Sequence, residues 1–204
     1  MSASDEEQAR ALDRLLTFVD AVVAIAITLL VLPLVEITGD VGDGLTVEEL
    51  LREHSAEFWA FLLSFAVISR LWLIQHRTMR HVSGFHDRIA HLLVLWMLSI
   101  VFLPFPTALV AEAPDDALTK ILYIGTMAIG TVWLALVQVT VVRMPELSDG
   151  EGFPDPAAAW ATVGAMMLAL AVTLAFPSTS YFPLLLLLLP DLLLRWVRRI
   201  RAGG

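Results

Sequence analysis

The sequence predicts an all-α integral membrane protein with six transmembrane helices, and three observations carry that prediction. Hydrophobic residues make up 58% of the 204 positions, and the mean hydropathy is +0.77, too apolar for an ordinary soluble domain. Several apolar runs reach the ~20 residues that cross a bilayer as a helix. Lys and Arg gather in alternate connections, as the positive-inside rule requires.

The spans are read in order as 15–37, 56–76, 90–111, 118–142, 157–176 and 181–197. A polar or Pro- and Gly-containing break separates each from the next, so the chain forms one membrane domain without repeats. The break EITGDVGDGLTVEELLREHSAE is the longest, and within it Thr46 followed by Glu49 has the spacing of a capping box. The sixth span is short and carries Pro190 and Asp191, with Tyr181 and Trp196 placed as interfacial anchors. Arg77, Arg80 and Arg88 follow span two, and Arg195, Arg198, Arg199 and Arg201 follow span six. The opposite side offers only Arg52 and Lys120, which places both termini and the 77–90 loop in the cytoplasm. The first residues, MSASDEEQAR, are acidic where a signal peptide would be basic.

Several function classes drop out early. A formal charge of −8 with only 13 basic residues argues against nucleic acid as a partner. The absence of cysteine removes disulfides and thiolate metal sites. His76, His81, His86 and His91 recur every five residues, but such steps turn about 140° on a helix and the four straddle a loop, so no metal centre is expected. HExxH, GxSxG and P-loop motifs are absent, and no enzyme activity or cofactor is expected.

The first span holds the informative residues. In FVDAVVAIAITLLVL, Ile25, Thr28, Leu29 and Leu32 fall on one helical face, and Ala21, Ala24 and Ala26 keep the rest of the circumference thin enough for close helix approach. Arg14, Asp20, Arg70 and His76 lie in or beside apolar runs, where an ionisable group needs a partner, a wet cavity or an escape to the interface. Asp20 stands about 9 Å inside the span by the helical rise. Two readings fit these residues: a polar cluster that only fixes helix packing, or one that guards a conduction path.

The motif Arg14, Phe18, Val19, Asp20, followed by AVVAIAITLLVL, resembles the RxxxFSD signature and first helix of the transmembrane protein 175 family of lysosomal and prokaryotic potassium channels. Trp72 and His76 in WLIQH are similar to that family's positions at the end of the second helix, and IVFLPFPTALV resembles its LPFPT segment. The resemblance implies a homotetramer of six-helix subunits around a central pore lined by the first helix, in the plasma membrane of a prokaryote. It further implies that Ile25, Leu29 and Leu32 form hydrophobic constrictions, that Thr28 faces the permeant potassium ion, and that Arg14, Phe18, Asp20, Trp72 and His76 hold the pore helix. Two departures stand out. Val19 replaces the signature serine and removes its hydroxyl, and Pro33 follows the constriction run directly and is expected to kink its outer end.

Physics gives such a pore a mechanism. A narrow ring of Leu or Ile side chains expels water and blocks, whereas a slightly wider one wets and conducts. A ring of threonine oxygens compensates partial dehydration and favours the ion that sheds water more readily, potassium over sodium. The segment GTMAIGTVW at 125–133 lacks a consecutive carbonyl filter, so selectivity falls to the first helix. Seven acids, Glu36, Asp40, Asp43, Glu48, Glu49, Glu53 and Glu57, set against Arg52 in the outer connection, are a candidate cation-concentrating mouth. A proton-coupled transporter that titrates Asp20 and His76 and a non-conducting membrane scaffold are the two alternatives.

Overall fold

The computed structural model describes residues 3–42, 44–80, 82–113, 115–144 and 156–175. The sixth expected span, 181–197, and the basic tail lie outside these residues. Among the described residues there are helices and no strands: α1 (Ala3–Leu29), α2 (Leu32–Glu36), α3 (Gly39–Gly42), α4 (Val47–Glu53), α5 (Ser55–Met79), α6 (Asp87–Phe102), α7 (Pro104–Glu112), α8 (Ala117–Val142) and α9 (Pro156–Ala175). Five helical stretches are long and apolar enough to cross a membrane, and the all-α membrane fold is as expected.

The helix ends follow local chemistry. Thr46 caps α4 by accepting from the Glu49 backbone N–H at 3.3 Å, while the Glu49 carboxylate accepts from the Thr46 N–H at 2.9 Å, so the capping box forms. Asp116 caps α8, accepting from the Thr119 N–H at 2.9 Å. The run expected to be a single helix over 90–111 is bent: α6 ends at Phe102 and α7 starts at Pro104. Pro104 and Pro106 carry no backbone donor, so two rungs of the hydrogen-bond ladder cannot form there. Past the break the ladder resumes, with the Leu103 carbonyl accepting from both the Thr107 N–H at 3.1 Å and Thr107 Oγ1 at 2.8 Å.

Packing centres on α8, which lies against α6, α9, α7 and α5. Lipid tails are as apolar as Leu, so close contact rather than water exclusion drives helix association in a bilayer, and small residues mark the closest approaches. Gly130 is such a point: a Cβ placed there would stand 3.4 Å from Ser99 Cβ and 3.9 Å from Leu71 Cδ1, where α8, α6 and α5 converge. Gly130 is therefore a packing residue. Trp96, Leu93 and Ile100 of α6 and Tyr123, Ile124 and Met127 of α8 fill the centre.

A polar knot joins three helices inside this apolar core. Ser64 Oγ of α5 lies 2.8 Å from Thr107 Oγ1 of α7 and 2.7 Å from Tyr123 Oη of α8. Each hydroxyl is buried, so its partners replace the water that it has lost. The knot sits just beyond the proline break and fixes the direction in which α7 leaves it.

Candidate functional site

Helix α1 has two rows of interest, and among the described residues only one packs within the subunit. Leu12, Val19, Val23, Ala26 and Leu30 are buried, with Leu16 partly buried among them, at alternating steps of four and three. This row rests mainly on α6, with lighter contact to α5 and α7. A second row, Arg14, Phe18, Ala21, Ile25 and Thr28, is displaced by two residues, about 200°, and so points the opposite way. Phe18 is 58% exposed, Ile25 59% and Leu32 50%, with Leu29 beside them at 39%. All four candidate pore residues thus lie on the uncovered side.

Thr28 is set up as an acceptor. Its hydroxyl donates to the Ile25 carbonyl at 2.7 Å, which uses its one proton within the helix. The oxygen lone pairs that remain are available to a partner outside the helix, and a cation is such a partner.

The outer end of this face is broken. The Leu30 N–H and Val31 N–H bond three residues back, to the Ile27 and Thr28 carbonyls at 3.3 Å each, so the helix tightens before it stops. Pro33 has no N–H to offer Leu29 and instead occupies the first turn of α2, where none is needed. Leu32 accordingly belongs to α2, past the break, and is not the next turn of the helix that carries Ile25, Thr28 and Leu29.

Toward the other end, the structure brings together three of the five residues of the expected network. The Trp72 indole N–H donates to Asp20 Oδ1 at 2.8 Å, across α5 and α1. The His76 ring stacks on Trp72, with centroids 5.6 Å apart and planes at 30°. Arg14 and Phe18 stand apart from this cluster, on the exposed row, and Arg14 has no side-chain partner among the described residues. Val19 is fully buried in the apolar core. A serine there would need a hydroxyl partner, whereas valine needs none, so the departure from the signature is an apolar core residue in an apolar core.

One histidine passed over in the sequence has a defined role. His54 precedes α5 and bonds through Nε2 to Asp40 Oδ2 at 2.9 Å and through Nδ1 to Glu57 Oε1 at 3.0 Å. The bond to Glu57, and secondarily Asp40, raises the His54 pKa above its ordinary value against the opposing effect of burial. Its signal in the sequence is Glu57, three residues on and one helical turn away. Most of the acids of the outer connection are likewise engaged locally: Glu48 pairs with Arg52 at 3.4 Å, and Glu49 belongs to the capping box. Among the described residues no group of His, Asp or Glu has the arrangement of a metal site.

Residues 14–104 match the family described as endosomal/lysosomal potassium channel TMEM175. A potassium channel of Chamaesiphon minutus is 36% identical over 103 residues, which is 48% of this chain and 49% of that protein. The human endosomal/lysosomal proton channel TMEM175 is 30% identical over 127 residues, 61% of this chain and 25% of its own length. The chain thus spans about a quarter of the animal relatives and about half of the bacterial ones. The crystal structure of a lysosomal potassium-selective channel TMEM175 homolog from Chamaesiphon minutus superposes with a TM-score of 0.71 at 26% identity, covering 88% of this chain and 95% of that one.

Proposed function

From the match of residues 14–104 to the TMEM175 family and the superposition on a solved homolog, we propose that the chain is a TMEM175-type channel: a potassium-selective, leak-type cation channel whose pore is lined by the exposed row of α1. The observation that carries this reading is the uncovered side itself: Ile25, Leu29 and Leu32, with the Thr28 oxygen among them, face away from their own subunit. One helical face cannot enclose a path, so several copies must contribute it, and the family resemblance makes that number four. Ile25 and Leu29 then form rings that gate by wetting and drying, and the Thr28 oxygens lie between them to replace part of the shell of a dehydrating ion. Asp20, Trp72 and His76 hold α1 at the depth where those rings meet. Both termini and the 77–90 loop face the cytoplasm, and the chain resides in the plasma membrane of a prokaryote.

The test is the reversal potential of purified, reconstituted protein in opposed potassium and sodium gradients. The proposal expects reversal near the potassium potential, with Leu29→Ala and Ile25→Asn raising leak. Animal relatives carry the name proton channel, which makes proton conduction the second reading. Current that follows an imposed pH gradient and ignores potassium would select it.

A further inference from the structure

The outward-facing rows of three other helices each end in arginine. On α5 the row Leu62, Phe65, Ser69, Leu73 continues to Arg77 and Arg80. On α6 the row Phe102, Leu98, Leu95, His91 runs back to Arg88, and on α8 Ile129, Val132, Leu136 and Val139 lead to Arg143. Leu62 is 50% exposed, Leu98 65% and Ile129 54%. α5 ends where α6 begins, and α8 returns to the same end because α6 and α7 together make one crossing. Arg77, Arg80, Arg88 and Arg143 therefore form a cationic collar at one end of the bundle, in line with the largely apolar surface above it.

Among the described residues no acid pairs with this collar. Arg10 pairs with Glu6 at 3.1 Å and Arg52 with Glu48 at 3.4 Å, each one turn away. The four collar arginines are exposed. Helix dipoles account for part of the pattern, since Arg77, Arg80 and Arg143 stand at C-terminal ends. They do not account for Arg88, in the first turn of α6, where a cation is disfavoured.

We infer that Arg77, Arg80, Arg88 and Arg143 form a binding surface for anionic phospholipid headgroups. The occupant follows from charge and depth: the rows that end in these arginines carry exposed apolar side chains fit for acyl chains, so the group one turn beyond them meets a phosphate at the interface. The inference does not depend on the pore conducting, because its readout is lipid retention.

Full-length protein in mixed phosphatidylcholine and phosphatidylglycerol is extracted, and its co-purifying phosphatidylglycerol is counted by native mass spectrometry. Each arginine near a charged membrane surface contributes roughly fivefold to partitioning, the equivalent of about 1 kcal/mol. The combined Arg77→Gln, Arg80→Gln, Arg88→Gln, Arg143→Gln variant is expected to lose most retained phosphatidylglycerol, while Arg10→Gln with Arg52→Gln retains it. Raising salt should weaken the wild-type retention. Should the fourfold variant not fold, Arg88→Gln with Arg143→Gln is expected to give an intermediate loss. Equal retention by collar and control variants would overturn the inference, as would full displacement of the lipid by inorganic phosphate at matched ionic strength.

Discussion

Replacing Trp72 with Phe removes one donor and keeps a ring against His76. In the wild type the indole N–H lies 2.8 Å from Asp20 Oδ1, and the pair is partly buried. A hydrogen bond to a charged group contributes about 1.5–3 kcal/mol, whereas polar pairs between membrane helices average about 0.6 kcal/mol. The partial burial places this bond between those limits, at about 1–2 kcal/mol, which for a chain of this size lowers Tm by about 2–8 °C. Phe is also smaller than Trp, so the single variant mixes lost packing with the lost bond. Asp20→Ala removes the acceptor, and a double-mutant cycle of the two substitutions isolates the bond. Thermal unfolding of the four proteins in one detergent should give a coupling of about 1–2 kcal/mol. Single costs that add to within about 0.5 kcal/mol would refute the reasoning. The same variant should loosen α1 against α5, so its leak current should rise if that bond positions the pore helix.

Thr28→Val keeps shape but removes the lone pairs, so it should reduce potassium over sodium discrimination several-fold in bi-ionic reversal measurements without lowering Tm, because the hydroxyl bonds only to its own helix. Pro33→Ala restores a donor for the Leu29 carbonyl. It should change single-channel conductance by re-aiming Leu32, and unchanged conductance would show that the outermost ring does not limit flux. Ser64→Ala removes both bonds of the buried knot and leaves Thr107 and Tyr123 facing a methyl group; a loss of about 1–2 kcal/mol is expected in thermal unfolding. His54→Gln should remove a pH-dependent contribution to stability. The folded-state pKa of His54 is raised, so the wild type gains most below the unfolded value of about 6.5 and loses that gain as pH rises through the raised value. A Tm difference between wild type and variant that is constant from acid to alkaline pH would contradict this.

Much of the architecture is legible in the sequence because a bilayer imposes length and polarity on any helix that crosses it. The apolar runs, the capping box at Thr46 and the break caused by Pro33 are local effects, set by side-chain chemistry within a few residues. Even the composition of the first helix, apolar on nearly every side, is enough to say that it is surrounded. Periodicity by itself could not say which of its two apolar rows packs inward, because Val19, Val23 and Ala26 are as apolar as Ile25 and Leu29. Only contact with α6 decides that, and in deciding it leaves Thr28 and its neighbours facing outward. The same holds for pairs distant in the chain. Asp20 with Trp72, Ser64 with Thr107 and Tyr123, and Asp40 with His54 are brought together by helix packing, and no local preference encodes which partner each will meet.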